Sequence, residues 1–187
     1  MAKISDDLKV MISQLSHKDK DKLLFRLVAK DAKLVRKLIF ELLEGGETKE
    51  QRFEETMQFI NESIPRRGSG GLTPGYLLMD LRSINARITE HVAATKDKLG
   101  EVVLTTFMLH EAIERHADML TDFPAQRSST LAPYLVKRVQ FILAKAPKLH
   151  EDYHLEFSKQ LNEVLVFIWN FKPTQFWAKE AKLPREF

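Results

Sequence analysis

The spacing of apolar residues limits the fold of this chain more than any other feature of its sequence. Apolar side chains recur every three or four residues almost throughout, and no long alternating run appears. That spacing lines one face of a helix, whereas a half-buried strand needs strict alternation. Hydrophobic residues make up 44% of the 187 residues, which is enough for a packed core. The sequence therefore predicts an all-α protein of about eight helices.

Residues that favour helix ends divide the first third of the chain. Three N-cap residue types each precede an apolar stripe: Ser5, Ser16 and Asp31. Gly45 and Gly46 are expected to end the third helix, because glycine adopts the left-handed conformation found there. With a fourth short helix, these elements predict a run of antiparallel helices over residues 1–64, as in a bundle or a short solenoid.

The rest of the chain predicts longer helices behind a glycine-rich loop. Residues 65–73 are expected to be a linker, and residues 74–172 a helical bundle that packs with the short helices. Thr95 is expected to cap a sixth helix that is apolar on most sides and therefore central. An eighth helix is expected from about Lys148, followed by an aromatic tail over residues 173–187 that docks on the body or on a neighbouring subunit. Two packed units and one continuous domain both agree with this pattern.

Amino-acid composition limits the chemistry that the chain can carry out and indicates its cellular location. The chain has no Cys, which excludes disulfides, Cys-ligated zinc and thiol chemistry. The net charge is +3, and the excess lies in residues 1–44, which hold ten Lys/Arg and seven Asp/Glu. That imbalance is small beside the concentrated basic face of a DNA-binding domain. Acidic residues stand where a signal peptide needs an apolar run, and no apolar stretch is long enough to span a membrane, so we expect a cytoplasmic location.

One segment resembles known proteins. The string LSHKDKDKLLFRLVAKDAKLVRKL, which begins at Leu15, is similar to the start of small all-helical bacterial proteins of uncharacterised function. The resemblance covers about residues 15–45 and consists of a cap, charges and leucines at helical spacing. It implies an all-helical fold and implies no activity, cofactor or catalytic residue.

Histidines and carboxylates at helical spacing are the candidate metal ligands. The string from His150 to His154 satisfies H-E-x-x-H, and His110 and Glu114 have the same four-residue spacing. Two adjacent helices would then offer His110, Glu114, His150 and His154 to one divalent metal, as in helical-bundle metalloproteins such as hemerythrin, which this chain resembles in ligand types only. A metalloprotease would need a third ligand, for which Glu180 is a candidate. The alternative is two solvated histidines near a helix start, with His110 and Glu114 bonded to each other or to water.

A basic loop is the candidate anion site. Arg66 and Arg67 precede Gly-Ser-Gly-Gly, and the amides of such a loop can bind phosphate while two arginines clamp it. The loop lacks P-loop spacing, and the alternative is an ordinary surface loop. The favoured interpretation is a non-catalytic helical protein that binds a protein partner or associates with itself. A metal-binding bundle, with or without enzyme activity, and a nucleic-acid binder remain the alternatives.

Overall fold

The computed structural model describes residues 4–68 and 70–187, and over these residues the chain forms helices and no strand. The nine α-helices in this part of the chain are α1 (Asp6–Gln14), α2 (His17–Val28), α3 (Ala32–Leu38), α4 (Lys49–Ser63), α5 (Pro74–Thr95), α6 (Lys98–Asp122), α7 (Leu131–Lys145), α8 (Ser158–Asn170) and α9 (Lys172–Glu180). Short 3₁₀ turns follow α6 and α7. The predicted all-α fold class is confirmed.

The chain divides into two compact units, Met1–Gly46 and Glu47–Phe187. The first unit contains α1, α2, α3 and a π-helical turn at Ile39–Leu43. Its three predicted caps are confirmed: the side chains of Ser5, Ser16 and Asp31 each accept a hydrogen bond from an amide in the first helical turn. Gly45 and Gly46 have φ of 61° and 76° and end the segment as expected. These caps form because each hydroxyl or carboxylate satisfies an amide that has no partner within its helix.

The second unit is built around α6. Buried residues lie on most sides of this helix, and it packs against α4, α5, α7 and α8. The predicted central position of this helix is therefore confirmed. The fully buried large side chains of α6 are Leu104, Met108, Leu109 and Leu120. Each removes a large apolar surface from water, so this helix supplies much of the hydrophobic stabilisation of the unit.

The C-terminal segment forms a helix that closes the second unit. Helix α9 packs on α7 and α8, with Thr174 and Ala178 buried beneath it. Beyond it, Leu183 is buried, and the Phe187 ring lies 5.6 Å from the Phe157 ring. The tail predicted over residues 173–187 thus docks on its own unit. The Thr174 hydroxyl donates to the carbonyls of Ile168 and Phe171, which satisfies a polar group inside the core.

The division between the units differs from the predicted one. The sequence placed the boundary in the loop at residues 65–73, but the structure places it between Gly46 and Glu47. Helix α4 packs against α5 and α6, and its Ile60 and the following Ile64 are buried, so it belongs to the second unit. The glycine-rich loop therefore joins two helices of the same unit; Ser69, within it, lies outside the described residues. None of the helices between residues 4 and 187, Ser69 excepted, is long and apolar enough to cross a membrane.

Candidate functional site

The H-E-x-x-H string does not lie on the α-helix predicted from Lys148. The structure has a 3₁₀ turn over Glu151–Glu156, and α8 begins only at Ser158. With three residues per turn, a 3₁₀ helix moves residues four apart away from a shared face. The His150 side chain is 72% exposed and lies 3.3 Å from Asp152. The Nε2 atom of His154 lies 3.0 Å from the Ala146 carbonyl oxygen, so its partner is backbone.

The other predicted metal ligands also have separate partners. The Nε2 atom of His110 lies 2.6 Å from a carboxylate oxygen of Glu163 on α8, and Glu114 is exposed on α6. The sequence predicted that His110 faces a neighbouring helix. It does so, but the residue that this helix places beside His110 is Glu163 and not His150. In the residues that the structure describes, no group of three or more His, Asp or Glu side chains is arranged to hold a metal ion. Metal binding stays a prediction, which elemental analysis of the purified protein tests.

The two arginines of the basic loop lie near the end of α4. Arg67 pairs with Asp118 of α6, and Arg66 lines a cavity together with Asn61 and Arg115. The Arg115 guanidinium donates to the carbonyl oxygens of Asn61 and Ile64, which have no partner within the helix at its C-terminal end. Arg67 and Arg115 thus already interact with protein groups near the end of α4. Anion or nucleic-acid binding by Arg66 and Arg67 stays a prediction.

A polar cluster in the second unit is centred on Asp97. The Oδ1 atom of Asp97 accepts the Gly100 amide at 3.0 Å, which makes Asp97 the N-cap of α6. The same oxygen lies 3.2 Å from the Lys49 ammonium, and Oδ2 lies 3.5 Å from His91 Nε2. Three elements meet here: the start of α4, the last turns of α5 and the start of α6. The Asp97 carboxylate joins these three elements, because it accepts the Gly100 amide and lies beside Lys49 and His91.

The predicted cap of α6 is wrong. Thr95 is the last residue of α5, and its hydroxyl donates to the His91 carbonyl within that helix. Lys96 then adopts a left-handed conformation with φ of 59°, which turns the chain so that Asp97 caps α6. Aspartate is preferred over threonine as an N-cap residue, so the residue type alone could have identified Asp97 as the cap of α6. No sequence pattern links Asp97 to Lys49 or His91.

Burial and charge act on Asp97 in opposite directions. Burial by itself raises the pKa of this carboxyl, but contacts with His91, the Gly100 amide and Lys49 lower it more, and its pKa falls from 3.8 to about 2. Asp97 is therefore ionised over the whole physiological range. His91 is itself buried, its Nε2 lies 3.5 Å from Asp97 Oδ2, its Nδ1 has no hydrogen-bond partner, and its ring meets that of Phe53 edge-on at 6.3 Å.

A cavity of about 400 Å³ opens beside this cluster. Its walls carry four carboxylates, from Glu50, Glu54, Asp97 and Glu156. Its apolar part is formed by Phe53, Leu99 and Val103. We call it the acidic cavity. Its size is in the range of small-molecule sites, and it combines an apolar floor with a few charged groups.

The first unit has a different character, because within residues 4–46 all side chains but one are exposed or only half-buried. None of the residues of α1, α2 or α3 is buried, and Phe40 is the buried side chain of this unit within residues 4–46. Eleven large hydrophobic residues of the unit are between 36% and 80% exposed: Ile4, Leu8, Val10, Met11, Leu15, Leu24, Phe25, Leu27, Leu34, Leu42 and Leu43. We call them the N-terminal apolar set. The apolar stripes that follow the three caps are thus only partly covered: Leu8, Met11, Leu24, Leu27 and Leu34 are exposed, whereas Ile12, Leu23, Val28, Val35, Leu38 and Ile39 are half-buried.

The comparisons with known proteins identify no relative. No family model, curated protein or solved structure matches this chain.

Proposed function

We propose that this chain is a non-catalytic interaction protein that associates with a second copy of itself through the N-terminal apolar set. The observation that carries the proposal is the exposure of eleven large apolar side chains on a unit whose α-helices bury no residue. A segment of this size with one buried side chain lacks a core of its own. Association supplies the missing burial.

The summed exposed area is of the size that a dimer interface buries on one partner. From the exposed fractions of the eleven side chains, the set presents on the order of 1,000 Å² of surface, and a standard interface buries about 800 Å² on each partner. The area therefore favours a covered interface over a solvated surface.

Charge favours a second copy as the partner. Residues 4–46 hold nine Lys/Arg and seven Asp/Glu, so two copies repel each other little. Lysine and aspartate alternate from Lys18 to Lys22 at the start of α2. In an antiparallel pair of α2 helices, lysines of one copy can lie opposite aspartates of the other. A two-fold interface uses the same patch on both chains, which agrees with a surface that is mixed in charge.

Light scattering after size exclusion, over a wide range of micromolar concentrations, tests the proposal. The full chain is expected to be a dimer, and the double variant Phe25→Gln/Leu43→Gln a monomer with unchanged helical circular dichroism. Met79→Gln is the control, because Met79 is also a large apolar side chain that is mostly exposed, at 62%, but it lies on α5 of the second unit. A wild-type monomer at every concentration, or a double variant that still dimerises, contradicts the proposal. A monomer would leave a different protein as the partner.

The cellular location of this protein and its kinship with other proteins also stay predictions. The cytoplasmic location and the kinship with uncharacterised bacterial proteins come from the sequence alone. Dimerisation as proposed does not depend on either.

A further inference from the structure

We propose that the second unit binds single-stranded nucleic acid along a row of basic and aromatic side chains on α7 and the neighbouring α5. The row consists of Arg82, Tyr134, Arg138, Phe141, Lys145 and Lys148, and we call it the basic stripe. It does not depend on the proposed self-association, because all of its residues lie within Glu47–Phe187. The distribution of charge, the order of the side chains and the contacts that hold them support this partner.

The basic stripe lies in the longest stretch of the sequence without an acidic residue. Residues 123–150 hold five Lys/Arg and no Asp/Glu. This segment carries a formal charge of +5, whereas the whole chain carries only +3. The even charge balance of residues 45–187 as a whole hides the segment, because the acidic residues lie elsewhere. Concentrated positive charge of this kind is the electrostatic feature that a polyanion recognises.

Cations and aromatic rings alternate along one face of α7. Tyr134, Arg138, Phe141 and Lys145 follow one another at spacings of four, three and four residues, which places them on one side of the helix. The guanidinium carbon of Arg138 lies 5.7 Å from the centre of the Tyr134 ring and 5.1 Å from the centre of the Phe141 ring. The Lys145 ammonium lies 4.3 Å from the Phe141 centre. The four side chains therefore form a continuous row.

Helix α5 holds one end of this row in place. The Tyr134 hydroxyl donates to the Leu81 carbonyl oxygen at 3.1 Å, and the Arg138 guanidinium donates to the side-chain oxygen of Asn85 at 2.8 Å. Burial raises the pKa of the Tyr134 hydroxyl, while the charges of Arg138 and Arg82 lower it, so Arg82 also lies at this face. Side chains that are already ordered lose less entropy when a ligand binds.

A cavity of about 290 Å³ opens at the other end of the row. Lys98, Lys145 and Lys148 line it, together with Glu101, which pairs with Lys145. Within the described part of the chain, neither Lys98 nor Lys148 pairs with a carboxylate. Their ammonium groups are therefore available to the phosphates of a nucleic-acid backbone, which release bound counterions when they are neutralised.

The aromatic rings favour a single strand over other polyanions. Bases stack on aromatic rings, and a single strand exposes both its bases and its phosphates. Tyr134 and Phe141 are half-buried, so part of each ring faces solvent. A lipid surface calls for exposed apolar side chains, but every large apolar residue of the segment 123–150 is buried or half-buried. From Tyr134 to Lys148 the row extends about 20 Å, which suits about four nucleotides, the lower end of known single-strand sites.

Fluorescence anisotropy of a labelled oligothymidylate, titrated with the full chain at several salt concentrations, tests the proposal. We expect saturable binding that weakens with salt, with a slope of about −3 for log affinity against log salt if four phosphates are contacted. The double variant Arg82→Gln/Lys148→Gln changes two exposed side chains. It is expected to bind on the order of tenfold more weakly at about 0.1 M salt, with a slope shallower by about 1.4.

The matched control removes the same charge from the same unit outside the basic stripe. Arg87 and Arg185 are exposed and lie over the rings of Phe59 and Trp169, at 6.0 and 4.8 Å from the ring centres. The double variant Arg87→Gln/Arg185→Gln therefore loses two arginines that also contact aromatic rings. We expect its affinity and its salt slope to stay close to those of the wild type.

The variant Phe141→Leu separates stacking from charge. It keeps an apolar side chain and every cation but removes the ring. We expect roughly fivefold weaker binding or more, because each base stacked on an aromatic ring contributes substantially to affinity. The salt slope should stay unchanged, since no phosphate contact is lost. Circular dichroism of each variant confirms that the helices remain.

Several results would overturn the proposal. These are an absence of saturable binding at about 0.1 M salt, and equal weakening by Arg87→Gln/Arg185→Gln, which would show diffuse attraction to a basic protein. Tighter binding of a duplex than of the single strand would overturn the choice of strand. Polyglutamate that competes as well as oligothymidylate would assign the basic stripe to an acidic protein instead. Repeating the titration with Phe25→Gln/Leu43→Gln keeps this result separate from the proposed dimer.

Discussion

Replacing Asp97 by Asn tests whether the charge of this carboxylate stabilises the second unit. Asn is as good an N-cap as Asp, so the substitution keeps the cap of α6 and removes the charge that faces Lys49 and His91. The Asp97 side chain is only 7% exposed, so solvent screens these contacts little. A pKa that falls from 3.8 to about 2 on folding corresponds to about 2 kcal/mol of stability at pH 7. We expect Asp97→Asn to lower the free energy of unfolding by about that amount.

The stability difference between wild type and Asp97→Asn is also expected to depend on pH in a defined direction. Because the folded pKa of Asp97 lies below its unfolded value, the stabilisation is complete above about pH 4 and is lost as the pH falls towards about 2. The difference in stability between wild type and Asp97→Asn should therefore shrink towards zero over this window. Other carboxyls titrate in both proteins, so the comparison between them isolates Asp97.

Urea unfolding followed by tryptophan fluorescence measures this difference. Both tryptophans, Trp169 and Trp177, lie on α8 and α9, so the signal reports the second unit. Asp118→Asn is the matched control, because Asp118 is exposed on α6 and pairs with Arg67; we expect a loss under about 1 kcal/mol. A loss at pH 7 that persists undiminished at low pH, or no loss at all, would refute the argument from charge.

Two further predictions concern the same unit. Gly100→Ala should destabilise it by about 1–3 kcal/mol, because the new methyl group would lie 2.2 Å from Asp97 Oδ2. Gly75→Ala, whose methyl group meets Thr73 at an ordinary 3.8 Å, should be neutral or stabilising, and equal effects of the two in urea unfolding would contradict this reasoning. Burial lowers the pKa of His116 despite its bond to the Pro65 carbonyl oxygen, so stability present above about pH 6.5 should be lost as the pH falls. His116→Gln should flatten that dependence, and an unchanged profile in thermal melts between neutral and mildly acidic pH would exclude His116 as its source.

Local signals were sufficient for much of the fold. The caps at Ser5, Ser16 and Asp31 form as predicted because each depends on its own side chain and an amide within the next three residues. The central position of α6 followed from a helix that is apolar on most sides, since such a helix is stable only when it is surrounded. The prediction that H-E-x-x-H places two histidines on one helix face was wrong, because that spacing needs an α-helix and the chain forms a 3₁₀ turn there.

The candidate sites could not be predicted in the same way. Lys49, His91 and Asp97 come from three elements, and no spacing in the sequence connects them. The apolar stripes of α1, α2 and α3 predicted buried faces, but the pattern cannot say which surface covers them. Their exposure became visible only when the packing of the unit was known.

The amino-acid sequence alone determined that the chain is helical, where its first helices begin, and which helix lies at the centre. These properties depend on side-chain periodicity and on hydrogen bonds between near neighbours along the chain. Only the tertiary structure decided that α4 belongs to the second unit, that Asp97 meets Lys49 and His91, and that the first unit leaves eleven large apolar side chains exposed. The reason is physical: those contacts join residues distant in sequence, and the packing of whole helices selects them.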